Sequence, residues 1–248
     1  MLLLDNKNSI LEALRLHPEQ VKRVWIEAGY ESVAKDVVQE ARKQGVSFRV
    51  ISREEFAKRF RGTRSRICME RESFSYRDPD ALLNGITSVP SPFLVALDGI
   101  SDPQNLGNIV RTAGCFKVDA LILPKDRSCG VTETVVKVAQ GAAEHVAVAH
   151  ITNLHHYLKT LKQKNIFCFG LDERGERHLW EVDLTMPLCL VFGGEEGMRR
   201  LTRDTCDEIV RIPTAPNFPA LNVATSVAIS AYEVQRQRRK SQYRISKS

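Results

Sequence analysis

The sequence predicts an α/β protein, a parallel sheet with helices on both faces preceded by a small α/β domain. Three observations carry this. From residue 93 onward, short apolar runs alternate with amphipathic helical stretches five or six times, as in a sheet built from strand and helix repeats. The runs, among them FLVAL, the ALIL of DALIL and CLVFG, are continuously apolar, as strands covered on both faces must be. Polar loops follow them, and ligands of such sheets sit outside the strand C-termini.

In chain order, residues 8–16 form a helix with Ile10, Leu11 and Leu14 on one face and Asn8 or Ser9 as its cap. Residues 21–26 are a short strand. Residues 31–44 are helical, with Val33, Val37, Val38 and Ala41 on one side, and Gly45 stops them. VSFRVI alternates as a strand, and SREEFAKRF restarts a helix with Ser52 as cap and Glu55 as its capping-box partner. Residues 66–69 close a small sheet. The edge of this first unit carries Arg53, Lys58, Arg59, Arg61, Arg64 and Arg66, either a solvated face or a surface for phosphates.

Periodicity is lost over residues 70–92, rich in Ser and Pro, which places a linker near 75–91. Beyond it come strands at FLVALDG, DALIL, HVAVAHI, NIFCFGL, CLVFG and DEIVRIP. Helices fall at 105–116, around 132–142, at 155–163 and at 221–239, with a helix or turn starting at EEGMRRL. On the last helix Val223, Val227 and Tyr232 are either core or partner contacts.

With 43% hydrophobic and 27% charged residues, the chain is not largely disordered. Its net charge of +6 suits a polyanionic partner without requiring one. The start of the chain lacks the pattern of a secretory signal, and no apolar run approaches the roughly 20 residues that span a bilayer. Six cysteines without a CxxC pair indicate reduced, buried thiols and a cytoplasmic setting. No metal site is expected. No GxGxxG or GxxxxGK[ST] loop is present, which argues against nicotinamide, flavin and the common nucleotide triphosphate loop.

Two stretches carry candidate chemistry. At 102–116, Asp102-Pro103 opens a helix on which Asn105, Asn108 and Arg111 or Thr112 recur opposite the apolar stripe. At 193–197, GGEEG follows a strand directly, so its glycines would admit close backbone approach to a ligand while Glu195 or Glu196 orients a hydroxyl or begins a helix. No acyl-transfer triad can be placed at strand ends.

VALDGISDPQNLGNIVRTAGCFKVDALIL, LCLVFGGEEGMRRLTRDTCDEIVRIP and PALNVATSVAISAYE resemble, in order, the three motifs of the SpoU family within the SPOUT class of RNA 2′-O-ribose methyltransferases. The N-terminal unit resembles the ribosomal-protein-like RNA-binding domain of the family's 23S rRNA guanosine enzymes. The resemblance implies a substrate domain at 1–74, a linker at 75–91 and a catalytic domain at 92–248 with a deep C-terminal trefoil knot. It also implies S-adenosyl-L-methionine (AdoMet) as cofactor without metal, structured RNA, most readily rRNA, as substrate rather than DNA or membrane, and a homodimer. Matched motif by motif, Gly193, Ile212 and Leu221 would contact AdoMet, with Gly170 and Leu171 in a neighbouring loop. Asn105 and Arg111 would serve the reacting ribose and phosphate, Glu195 the second motif and Asn222 the third. The chain departs from the family at Ala220, where serine is common, at GGEEGM, one residue short of the usual second motif, and at Arg64-Ser65-Arg66, where His-Gln-Gly is usual. These departures leave a tRNA enzyme and a weak or non-catalytic RNA-binding relative as the other readings.

Overall fold

In a computed structural model, the structure describes residues 1–215, 217 and 220–245, the last four by backbone alone; Pro219, beside Ala220 in the third motif, lies outside them. The chain folds as two compact units. One is Met1–Ser75 with Val131–His145, the other Tyr76–Gly130 with Val146–Ser248.

The first unit opens with β1 (Leu2–Leu4), α1 (Lys7–Leu16), β2 (Val21–Glu27), α2 (Lys35–Lys43), β3 (Phe48–Ile51), α3 (Arg53–Arg59) and β4 (Ile67–Arg71). The chain then builds α4 (Pro79–Ile86), β5 (Phe93–Asp98), α5 (Pro103–Cys115) and β6 (Ala120–Pro124) of the second unit, and returns to the first with α6 (Glu133–Ala139). It completes the second with β7 (Ala147–Ile151), α7 (Leu154–Gln163), β8 (Phe167–Leu171), β9 (Arg177–His178), β10 (Leu188–Gly193), α8 (Arg200–Thr205), β11 (Glu208–Arg211) and α9 (Val223–Ile245).

In the first unit the strand order is β1-β4-β2-β3, with β4 antiparallel to β1 and β2 and β3 parallel to β2. Trp25, Ile51, Phe56, Phe60 and Cys68 cluster as one core. Helix α1 buries Ile10 and Leu14 completely; its cap is Asn6, whose side chain accepts from Asn8 and Ser9 N–H, rather than either of those residues. Ser52 caps α3 by accepting from Glu55 N at 3.2 Å.

The division into 1–74, 75–91 and 92–248 changes in two places. Asp78 caps α4 and Pro79 occupies its first turn, so part of the expected linker is a helix of the second unit; an Asp-Pro start signal was present there. Residues 131–145, read as part of the larger domain, belong to the first unit. There Leu3 N donates to Glu133 Oε1 at 2.8 Å and Ser9 Oγ donates to Val136 O at 3.3 Å. Arg71 and Glu144, 2% and 1% exposed, pair at 2.5 Å. Local periodicity does not reveal which sheet a helix covers, and these long-range polar contacts decide it.

The basic run also divides. Arg59 lies 3.9 Å over the Trp25 ring and pairs with Glu70 at 3.0 Å. Arg66 pairs with Glu27 at 2.9 Å and covers Tyr30. All six residues are exposed, but among the described residues Arg53, Lys58, Arg61 and Arg64 form no ion pair comparable to those of Arg59 and Arg66.

The second unit holds a seven-stranded sheet ordered β7-β6-β5-β10-β8-β11-β9, parallel at every pairing. Strands β5, β6 and β7 run outward on one side, while β10 is laid between β5 and β8. Strand β10 is therefore covered on both edges, and Leu188 through Val191 are fully buried, which accounts for their continuous apolarity. Helix α9 returns along the sheet. Val227 is buried in the core, Val223 is half-buried, and Tyr232 is 58% exposed with its ring edge-on to Phe116. Arg238 fastens the helix by donating to the carbonyls of Ser91, Pro92, Leu184 and Met186. No helix among the described residues is long and apolar enough to cross a membrane.

Candidate active site

A cavity of about 510 Å³ opens where β8, β10 and β11 end, beside the point at which the strand order reverses, as expected for an open parallel sheet. Its size falls in the range of about 300–1,000 Å³ usual for small-molecule sites.

Helix α5 supplies the first wall. Asp102 caps it by accepting from Gln104 N at 2.9 Å, and Pro103 presets the first turn. Asn105 therefore stands on that turn, at the cavity. The start of α9 supplies the second wall. Asn222 Oδ1 accepts from Ala224 N at 2.9 Å, and Asn222 Nδ2 donates to Asn105 Oδ1 at 2.9 Å. One amide side chain thus caps a helix and orients its counterpart on another.

The third wall follows β10. Gly194 to Gly197 form a tight turn closed by Gly197 N donating to Gly194 O at 2.9 Å, with Gly197 at φ +77. Glu195 and Glu196 occupy its exposed middle positions and both line the cavity; among the described residues neither carboxylate is paired. The adjoining glycines answer to backbone rather than only to a ligand. A Cβ on Gly193 would stand 2.2 Å from Gly197 C and Met198 N, and one on Gly194 would stand 2.2 Å from Gly99 O.

The loop after β8 completes the site. Leu171 lines it, as do Asp172, Glu173 and Arg174, which the sequence reading did not single out. Asp172 is 6% exposed and accepts from Arg174 N at 3.0 Å and Arg174 Nε at 2.9 Å. Burial works to raise its carboxyl, but the hydrogen bonds and charge of Arg174 outweigh it and hold the group below the usual carboxylate value. The LDERG string, with turn residues straight after a strand, was the signal available in the sequence. Ser226 and Thr214 also line the cavity.

Of the residues matched by motif, Asn105, Glu195, Asn222, Leu171, Gly193, Ile212 and Leu221 converge on the cavity. Two do not. Gly170 lies beneath the site in the sheet, where a Cβ would meet Ile209 Cδ1 at 2.6 Å and the tips of Cys206 and Met198 at 3.1 Å, so its small size serves packing. Arg111 is exposed on α5, six residues beyond Asn105 and about 9 Å along the axis at 1.5 Å per residue, outside the cavity of its own chain.

The SpoU rRNA Methylase family model matches residues 92–232, and the model for RNA 2′-O ribose methyltransferase substrate binding matches residues 7–72. The chain belongs to the SpoU rRNA methylase family. It is 36% identical to the 23S rRNA (guanosine-2′-O-)-methyltransferase RlmB of Escherichia coli, over 93% of this chain and 96% of that protein. The RlmB of Pectobacterium atrosepticum gives the same identity and coverage. Among solved structures, the SpoU methyltransferase AviRb from Streptomyces viridochromogenes, in complex with AdoMet, aligns with a TM-score of 0.79 at 20% identity, covering 96% of this chain and 90% of that one. That likeness concerns the fold. Family membership makes the chain an RNA 2′-O-ribose methyltransferase, and every cavity wall just described lies within the residues 92–232 that the SpoU rRNA Methylase model matches.

Proposed function

We propose that this SpoU family enzyme methylates the 2′-hydroxyl of a guanosine ribose in 23S rRNA, acting in the cytoplasm as a homodimer whose C-terminal segment is threaded through a trefoil knot. The observation that carries the reading is the Asn222 to Asn105 hydrogen bond at the mouth of the cavity, which joins the first and third motifs at one point.

The residues present fit AdoMet. Leu171, Phe192, Ile212 and Leu221 offer apolar walls for an adenine ring, and Glu173, Glu195 and Glu196 give the rim a negative charge suited to a cationic cofactor. When bound, AdoMet supplies a methyl group already activated on a sulfonium. The protein's own work is alignment of a weak nucleophile and stabilisation of developing charge. Asn105, held by Asn222, is placed to orient the ribose. Glu195 and Glu196 present acceptors for a hydroxyl proton at the turn. Arg111 remains a cation throughout, suited to a phosphate or to the developing oxyanion.

A homodimer accounts for two features. Arg111 lies outside its own chain's cavity, and Leu221, Ile229 and Tyr232 expose 38%, 40% and 58% of their surface along α9 and its approach. Laying β10 and β11 beside β8 after β5 to β7 are complete is the strand order that a threaded C-terminus would need. Six free cysteines suit a reducing compartment. The substrate domain and the two RlmB relatives favour 23S rRNA over tRNA.

Incubation with methyl-labelled AdoMet and 23S rRNA transcripts, followed by mapping of 2′-O-methylation, tests the reading. A single labelled guanosine ribose is expected, lost when that nucleotide is deoxy. No label on free rRNA or on any assembly intermediate would overturn it.

A further inference from the structure

Asp98 closes β5 and is fully buried, its side chain 0% exposed. Its backbone O accepts from Gly194 N at 2.9 Å. Its carboxylate accepts from Arg199 N at 2.9 Å and from Arg199 Nε at 2.7 Å, with Arg199 Nη2 at 2.6 Å. One residue therefore holds both ends of the segment 194–199, and the Glu195 and Glu196 turn lies between the two anchors. Arg199 occupies the N-cap position of α8 without capping that helix through its side chain. Ser, Thr, Asp or Asn would be usual there; the arginine reaches instead to β5, where the buried carboxylate also satisfies the N–H of the cap residue itself. Nε and Nη2 both converge on Oδ1 while Oδ2 takes the backbone N–H, a planar two-nitrogen contact that the point charge of lysine does not reproduce. The clearance is tight, because a Cβ on Gly194 would stand 2.2 Å from Gly99 O.

We propose that Asp98 and Arg199 are a positioning pair for methyl transfer, fixing the Glu195 and Glu196 turn as a wall of the cofactor cavity. The pair touches neither cofactor nor ribose; it acts through the turn. This rests on the reading of the cavity as the AdoMet site. A residual flexible turn would have to be ordered at each binding event, so loosening the anchor weakens cofactor affinity first and leaves recognition of RNA by the substrate domain in place.

The test uses the full chain and four variants: Arg199→Gln, Arg199→Lys, Asp98→Asn, and Asp98→Asn with Arg199→Gln. Calorimetry with AdoMet alone, steady-state kinetics in both substrates and thermal unfolding are measured for each. Arg199→Gln is expected to weaken AdoMet binding about tenfold and raise the KM for AdoMet without changing the KM for RNA, and Arg199→Lys to recover part of the loss. The double variant removes both charges, so its Tm returns toward wild type while AdoMet affinity does not. Wild-type affinity and kcat in folded Arg199→Gln would overturn the proposal. So would affinity that merely follows Tm across the four variants, the behaviour of a purely structural clamp. Wild-type protein that bound no AdoMet would overturn the cavity reading itself, and the proposal with it.

Discussion

Asn222 and Asn105, 117 positions apart in sequence, meet through a single side-chain hydrogen bond of 2.9 Å. Both ends of the Asn222 amide are engaged, its oxygen by the N–H groups that begin α9 and one N–H of its nitrogen with Asn105. Replacing Asn222 by Asp keeps the cap but removes the donor and sets a carboxylate against the Asn105 oxygen. Asn222→Asp should therefore melt near wild type while losing about ten- to a hundredfold in kcat/KM, the worth of one hydrogen bond to a reacting array. Asn222→Ala should lose that and about 1 kcal/mol of stability from the cap. Steady-state methylation and urea unfolding separate the two effects.

The two glycines assigned to the cofactor should behave differently. At Gly193 a methyl group would collide with backbone of the Gly197 turn, which cannot move without reshaping the cavity. Gly193→Ala should abolish AdoMet binding measured by calorimetry. At Gly170 the nearest atoms are side-chain tips, so Gly170→Ala should cost about 1–3 kcal/mol by overpacking and leave a folded protein that still binds AdoMet.

Within the basic run of the first unit, pairing predicts role, because all six residues are exposed. Arg61 and Arg64 are exposed and free to neutralise phosphate, so Gln at either should weaken RNA binding and reduce the slope of log K against log salt by about 1 for each phosphate no longer neutralised. Arg59, stacked on Trp25 and paired with Glu70, should show the reverse. Arg59→Ala should lower Tm and change the salt slope little. Filter binding over a salt series, with thermal unfolding alongside, checks both.

Alkaline stability follows from buried thiols. Burial pushes Cys68 and Cys206 up to about 12 from an ordinary value of 9.0. Between those values the folded state holds more protons than the unfolded one, so stability falls as pH rises from about 9 toward 12 and is fully present below 9. Cys206→Ala should flatten this decline, seen as a smaller loss in urea midpoint between pH 8 and 10.5. Cys115, exposed on the surface, should be alkylated fastest by iodoacetamide in the native protein.

Much of this molecule is written locally. Continuous apolar runs such as FLVALD and LCLVFG could only be strands covered on both faces, and the Asp102-Pro103 start of α5 is a matter of adjacent residues. The motifs, each a short string, brought Asn105, Glu195 and Asn222 to notice before any contact among them was visible. Element ends were less legible: the helix expected at 31–44 is α2 at Lys35–Lys43, and the helix expected from 221 begins at Val223 because Asn222 is its cap. The short strands β1 and β9 escaped notice, since runs of two or three residues carry no period.

By itself, then, the sequence determined the succession of strands and helices, the parallel character of the larger sheet and the identity of the residues at its loops, because these depend on periodicity and on neighbours within a few positions. Only the tertiary structure decided that residues 131–145 join the first unit, that Gly170 is a packing glycine, that Arg111 stands clear of its own chain's cavity, and that Asp98 holds both ends of the Glu195 turn. Each of these depends on which distant segments come together, and that is fixed by burial and by hydrogen bonds between remote positions, such as the 130 that separate Leu3 from Glu133, which no local pattern encodes.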